Sequence, residues 1–193
     1  MSPALTVFRD EAAAWCRGRN GWVRLPFLAG LVIYVAKILI RPAACGNIFA
    51  PLNLAIHEAG HLLFGYGGQF LGILGGTILE CLLPFFLMAH FYKQREFFGI
   101  ALCFGWLAAV FSGVAVYCAD ARAMALPLVT LFGAEPSVAH DWNYLLGKLG
   151  ILRYDFVVAA LVRALGFASL AVCLWTGSWL ILRMIAPRET ETP

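Results

Sequence analysis

Long apolar stretches constrain this chain more than any other feature, because a helix of about 20 mostly apolar residues crosses the hydrocarbon core of a bilayer. Five such stretches are separated by charged residues, glycine or proline, and they cover residues 22–41, 47–66, 69–92, 97–119 and 157–185. In lipid, every backbone polar group needs a partner within the protein, so these stretches are expected to be helices. The sequence therefore predicts an all-α fold, a polytopic transmembrane helix bundle of about five spans that forms one integral membrane domain over residues 1–193.

The overall composition excludes the main classes of soluble protein. Of the residues, 62% are hydrophobic and 13% are charged, whereas soluble domains average about 25% charged residues. The net charge of +3 is small and scattered, so we expect no nucleic-acid partner. The lipid bilayer is the expected environment.

The 121–156 loop, between the last two predicted spans, contains an apolar segment over 123–132 that is too short to cross and is interrupted by Pro127. This pattern predicts a re-entrant or interfacial segment, and residues 142–149 are expected to form a short helix. Five spans would put the two ends of the chain on opposite sides of the membrane. The distribution of Lys and Arg favours a cytoplasmic N-terminus, as in a membrane of the bacterial inner type.

The second predicted span contains the sequence His57-Glu58-Ala59-Gly60-His61, an HExxH motif. Residues four apart lie on the same face of a helix, so both imidazoles can reach one ion. Zinc accepts neutral imidazole nitrogen and leaves a coordination position for water. Glu58 follows the first histidine and is expected to act as the general base toward that water.

The motif has two alternatives to a metal site. It can arise by chance, or its three ionisable residues can form a structural polar cluster between helices. Ionisable groups inside a membrane span are costly and usually functional, and binding a cation removes part of that cost. These considerations favour the metal site.

The motif, its predicted place in a membrane span and the glycine-rich turn at residues 65–68 together resemble the site-2 protease group of intramembrane zinc metalloproteases. The resemblance implies a helical membrane protein that uses Zn²⁺ to cleave membrane-anchored substrates within or near the bilayer. In that group an Asp in the pattern N-x-x-P-x-x-x-x-D-G supplies the third zinc ligand. Here Pro136 and Asp141 match the spacing, whereas Gly133 and Trp142 replace the Asn and the Gly. The resemblance thus implies Asp141 as the third ligand.

Other residues compete with Asp141 for this position. His140 is adjacent and equally acceptable to zinc, and Asp120 ends the fourth predicted span on the same side, although pairing with Arg122 also explains it. The alternative role of Asp141 is to cap the short helix that follows it.

Glu80 is a further candidate, since 18 residues separate it from His61. In an antiparallel hairpin that turns near Gly68, Glu80 would lie at nearly the depth of His57. It would then be a metal ligand, a group that orients an imidazole, or a protonated buried acid.

From these patterns we expect an intramembrane zinc metalloprotease in which Glu58 is catalytic and in which His57, His61 and Asp141 bind the metal. The expected substrate is a membrane-anchored protein or peptide. The alternative from another class is a non-proteolytic metal-binding membrane protein, either an assembly factor or a metal carrier.

Overall fold

The computed structural model describes residues 3–42, 47–127 and 140–186, and every regular element within these ranges is helical. In chain order the α-helices are α1 (Pro3–Trp15), α2 (Gly21–Ile40), α3 (Ala50–Phe64), α4 (Gln69–Lys93), α5 (Phe97–Ala119), α6 (Asp141–Lys148) and α7 (Asp155–Ile185). One 3₁₀ turn joins α3 to α4, and another precedes α7. The predicted all-α fold is confirmed.

Among these helices, four are long and apolar enough to cross a membrane: α2, α4, α5 and the unit of α7 with its preceding turn, Leu152–Ile185. They correspond to four of the five predicted spans and make this a multi-pass membrane protein. The prediction of a full span over 47–66 is wrong. Helix α3 has 15 residues and is about 22 Å long, whereas the hydrocarbon core is about 30 Å thick.

Helix α3 begins at the level of the middle of α5, on the surface of the bundle. The Tyr34 hydroxyl, in the second half of α2, accepts a 2.6 Å hydrogen bond from the backbone N–H of Ile48. The indole of Trp106, near the middle of α5, donates a 2.9 Å hydrogen bond to the side chain of Asn53. The chain therefore re-enters the bundle after α2, and α3 is the outgoing arm of a re-entrant segment.

Contacts between α2 and α5 show that these two helices run parallel. Gly105 of α5 lies against Leu31 of α2, and one turn or more further along both helices the Ser112 hydroxyl donates to the Ile38 carbonyl at 3.1 Å.

Helix α7 runs antiparallel to α2. Gly177, late in α7, packs against Leu28, whereas Gly166, earlier in α7, packs against Leu39. Helix α4 runs antiparallel to α5, because a turn of three residues joins them and Phe91 lies against Gly99.

These directions define two ends of the bundle. The terminal end holds α1, the turn between α4 and α5, and the last turn of α7. The loop end holds the last turn of α2, the turn at Gly68 and helix α6. Gly21 at the start of α2 lies against Ile185 at the end of α7, so the first and last spanning helices meet at this end of the bundle. The prediction that the two ends of the chain lie on opposite sides of the membrane counted residues 47–66 as a crossing.

Helix α5 is the centre of the bundle and contacts α2, α4 and α7. Its small residues Gly105, Ala108 and Ala109 are turned toward these neighbours, and both alanines are fully buried. In lipid, close packing of this kind stabilises helix contacts, since the bilayer is as apolar as the side chains.

The predicted re-entrant segment over 123–132 lies mostly outside the described residues. Residues 121–127 are described and contain no helix, whereas 128–139 are not described. Helix α6 (Asp141–Lys148) corresponds to the short helix predicted over 142–149.

Candidate metal centre

Glycines bring α3 and α4 into backbone contact. A Cβ atom on Gly60 would overlap the backbone of Gly75, and a Cβ on Gly72 would lie 3.1 Å from the Cα of Gly65. A Cβ on Gly76 would lie 2.6 Å from Nε2 of His57. Only glycine at position 76 therefore leaves room for this imidazole between the two helices.

The two histidines of the HExxH motif direct the same ring nitrogen at one carboxylate oxygen. Nε2 of His57 lies 2.9 Å from Oδ2 of Asp141, and Nε2 of His61 lies 3.3 Å from the same oxygen. The ring centroids are 4.6 Å apart and the rings are nearly perpendicular. The structure thus brings together the three residues that the sequence predicts as metal ligands.

The other nitrogen of each ring faces an acceptor on α4. Nδ1 of His57 lies 3.1 Å from Oε2 of Glu80, and Nδ1 of His61 lies 2.9 Å from the carbonyl oxygen of Gly72. A carbonyl or carboxylate oxygen accepts a hydrogen bond, so both Nδ1 atoms carry their proton. Each Nε2 faces Asp141 and gives up its proton when a metal ion takes that place, which frees its lone pair as a ligand. The Nδ1 contact also fixes the ring orientation, as it does for metal-binding histidines.

These donor atoms fit a divalent transition metal. One ligand atom from each of His57, His61 and Asp141 lies within 4.8 Å of the others. Two imidazole nitrogens and one carboxylate oxygen are the ligands of a catalytic zinc site with an open fourth position. The same donors also suit iron(II).

Asp141 is positioned by the end of α5. It is the first residue of α6, and its backbone N–H donates a 3.1 Å hydrogen bond to the Tyr117 hydroxyl. Burial by itself raises the pKa of Asp141, but the hydrogen bonds from His57 and His61 outweigh burial and hold the pKa below its ordinary value. The carboxylate is therefore ionised at neutral pH and available to a cation.

His140 has a structural role beside the centre. Its Nδ1 accepts a 3.3 Å hydrogen bond from the backbone N–H of Asn143 and so caps α6. Its ring packs 4.3 Å from the ring of Tyr117, centroid to centroid. Burial lowers the pKa of His140 and favours its neutral form. The capping role considered for Asp141 thus belongs to the residue before it.

The structure also separates the remaining candidates from the ligand position. Asp120 accepts 3.0 Å hydrogen bonds from the backbone N–H groups of Ala125 and Leu126, and it lies 3.4 Å from Nε2 of His140. Glu80 contacts His57 on the ring nitrogen that faces away from Asp141. Of the roles considered for Glu80, the geometry favours orienting an imidazole.

Glu58 is half-buried and, among the described residues, makes no hydrogen bond or ion pair. It lines a cavity of about 1050 Å³ together with His57, His61 and Asp141. The walls of this cavity come from the last turn of α2, from α3, and from the loop-end turns of α4 and α5. The HExxH glutamate is thus free to contact a molecule that enters beside the three candidate ligands.

Comparisons with protein-family models, with curated proteins and with solved structures give no match for this chain. The chemistry of the site therefore has to be argued from its own residues.

Sequence reasoning missed the residues that support the site. Tyr117 holds the backbone of Asp141, and the Gly72 carbonyl orients His61. The signal that was available is the spacing of Gly72, Gly76 and Glu80, which repeats every four residues and places all three on one face of a helix. No comparable pattern marks Tyr117.

Proposed function

We propose that this protein is a membrane-embedded zinc metalloprotease that hydrolyses peptide bonds of membrane-associated proteins. The observation that carries the proposal is the convergence of both Nε2 atoms on one oxygen of Asp141 while both Nδ1 atoms are bonded to α4. This arrangement prepares the two imidazoles as ligands before any ion binds, which favours a metal site over a structural polar cluster.

Each residue has a defined task in this proposal. His57, His61 and Asp141 hold the ion, and Glu80 and Gly72 keep the two rings in place. Zinc, when bound, supplies a Lewis acid that polarises a peptide carbonyl and lowers the pKa of a water molecule.

Glu58 carries the proton transfer. Its carboxylate accepts a proton from the attacking water and then delivers that proton to the nitrogen of the leaving amine. The C–N bond breaks, and one water molecule is consumed to give a carboxylate and an amine. The absence of a described partner for Glu58 supports this role, because a base engaged in an ion pair would be a poor proton acceptor.

The position of the centre supports a membrane-associated substrate. His57 packs against Gly76, seven residues into α4, which corresponds to a depth of about 10 Å from the loop end of that spanning helix. A substrate peptide has to reach this depth within the helix bundle.

The basic residues indicate the orientation of the protein. Seven of those described lie at the terminal end and five at the loop end: Arg9, Arg17, Arg19, Arg24, Lys93, Arg95 and Arg183 against Lys37, Arg41, Arg122, Lys148 and Arg153. Lys and Arg accumulate on the cytoplasmic side. The terminal end is therefore cytoplasmic in this proposal, and the metal centre opens to the opposite side, in a membrane such as the bacterial inner membrane. Alkaline phosphatase fused after residue 193 should be inactive, and an active fusion would contradict this orientation.

A single pair of variants tests the protease function. The probe is a peptide library incubated with the purified, zinc-loaded protein in detergent, with new peptide termini read by mass spectrometry. Glu58→Gln should lower the cleavage rate by about 10²- to 10⁴-fold, as expected for loss of a general base, and should leave the zinc content unchanged.

The matched control is Glu96→Gln, at the terminal end of the bundle, which should cleave at the wild-type rate. Equal cleavage by wild type and Glu58→Gln would overturn the proposal. Bound zinc without any cleavage by the wild type would favour the non-proteolytic metal-binding alternative.

A further inference from the structure

Two threonines in spanning helices, Thr176 and Thr77, differ in the hydrogen bonding of their hydroxyls. The Thr176 hydroxyl in α7 donates a 2.6 Å hydrogen bond to the Val172 carbonyl four residues earlier, which is the usual solution for a threonine inside a helix. Thr77 in α4 is 9% exposed, and its hydroxyl has no hydrogen-bond partner in the described part of the chain. A buried hydroxyl without a partner is costly, so Thr77 is a group that gains from a ligand.

Thr77 lies on the wall of the cavity that contains the candidate metal centre. It follows Gly76, which is in contact with the His57 ring, and it precedes Glu80 by one helical turn. The unpartnered hydroxyl therefore belongs to the wall of the cavity in which the hydrolysis is proposed.

Asn53 adds a second polar group to the same wall. It precedes His57 by four residues, so both side chains lie on one face of α3. Its Oδ1 accepts the 2.9 Å hydrogen bond from the Trp106 indole, which fixes the orientation of the amide. The Nδ2 group then presents two N–H donors, and no acceptor for them lies among the described residues.

From these two groups we infer the substrate class: Thr77 and Asn53 hydrogen-bond the backbone of a locally extended peptide segment beside the scissile bond. The inference rests on the proposed protease function. The Asn53 amide donates to a substrate carbonyl, and the Thr77 hydroxyl accepts from a substrate N–H or donates to a further carbonyl. A helical segment has already paired these backbone groups internally, whereas an extended segment in an apolar environment needs partners for them.

The experiment compares two hydroxamates binding to the zinc-loaded protein in detergent by titration calorimetry. Acetohydroxamate has only the metal-binding group, whereas an N-acetyl-dileucyl hydroxamate adds two residues of peptide backbone. Thr77→Val removes the hydroxyl at nearly constant shape. It should weaken the dileucyl probe about 3- to 10-fold, the effect of one hydrogen bond, and leave acetohydroxamate unchanged.

Three further variants control this result. Thr77→Ser keeps the hydroxyl and should restore the affinity for the dileucyl probe. Asn53→Asp keeps the acceptor for Trp106, removes the N–H donors, and should weaken the dileucyl probe more than acetohydroxamate. Thr176→Val removes a hydroxyl that is already bonded within its own helix, and it should change neither affinity.

The outcomes separate this inference from the function on which it rests. Unchanged affinity of Thr77→Val for the dileucyl probe, or an equal loss for both probes, overturns the inference and leaves the protease function standing. Failure of the zinc-loaded wild type to bind either hydroxamate overturns both.

Discussion

Two buried aspartates at the loop end, Asp155 and Asp141, differ in the side chains that donate hydrogen bonds to them. Asp155 is completely buried at the start of α7 and accepts hydrogen bonds from the Arg122 side chain at 2.8 Å and from the backbone N–H of Phe156 at 2.7 Å. Asp141 is almost as buried, but its side-chain partners are the imidazoles of His57 and His61.

The chemistry of the partners makes one site permanent and the other exchangeable. Arginine keeps its proton at any physiological pH, so Asp155 has a fixed counter-ion that ties the loop after α5 to α7. An imidazole nitrogen can exchange its proton for a metal ion. The Asp141 carboxylate can therefore either accept hydrogen bonds from the two imidazoles or bind a metal ion together with them. Burial of an acid therefore does not by itself identify a functional site, and the type of partner does.

Matched substitutions of the two aspartates test this comparison and have the largest expected effect. Asp141→Asn should lower zinc affinity more than about 100-fold, because loss of a ligand should exceed the 10- to 100-fold cost of losing an outer partner. Asp155→Asn should leave zinc affinity within about threefold. Competition with a chromophoric chelator measures both affinities.

Asp155→Asn should instead lower the stability of the bundle. Arg122 is about half exposed, so we expect a loss of about 1–3 kcal/mol, less than for a fully buried ion pair. Thermal unfolding in detergent, followed by tryptophan fluorescence, measures it. Equal effects of both substitutions on zinc affinity would show that the two aspartates do not differ in the way described.

Glu80 is an intermediate case between these two aspartates, because it contacts His57 and would not itself bind the metal. Glu80→Gln keeps an oxygen acceptor for Nδ1 but removes the negative charge that makes the imidazole a stronger ligand. We expect zinc affinity to fall about 10-fold, within the range for outer partners. An unchanged affinity in the same chelator competition would exclude a role for Glu80 in the site, and Glu96→Gln is the control.

Gly76 gives the smallest expected effect on metal binding and tests the helix contact. The Cβ of Gly76→Ala would overlap the His57 ring, so α3 or the ring must shift, at a cost of about 1–3 kcal/mol in stability. Zinc affinity should fall by a few-fold. Gly30→Ala in α2, where no atom lies within 4 Å of the added Cβ, should change neither property, and a similar loss in both variants would count against this contact.

The sequence predicted the helices better than their arrangement. Apolar stretches of about 20 residues identify the four spanning helices, because length and hydropathy alone decide whether a helix can cross. They misassigned α3, whose start at the level of the middle of α5 depends on contacts of Tyr34 and Trp106 with residues 47–53. An apolar stretch in the sequence does not show at which depth in the bundle its helix begins.

The sequence predicted the site residues that are close together in the chain better than those that only helix packing brings together. The spacing of His57 and His61 is local, and helix geometry places both on one face, so the sequence alone predicted this pair. Asp141 was reached only by resemblance to a spaced motif, and the structure places it beside both imidazoles. The orienting contact of Gly72 was indicated only by its four-residue spacing to Gly76 and Glu80, and the support from Tyr117 arises from the packing of α5 against α6, which no local pattern encodes.

The most direct test of the metal centre is X-ray absorption spectroscopy of the purified protein loaded with one equivalent of Zn²⁺. We predict a first shell of nitrogen and oxygen atoms at about 2.0–2.2 Å, with the outer-shell scattering of two imidazoles. In Asp141→Asn the nitrogen and oxygen shell should change, whereas in Asp155→Asn it should not. A sulfur shell at about 2.3 Å, or the absence of outer-shell imidazole scattering, would contradict the assignment of His57, His61 and Asp141.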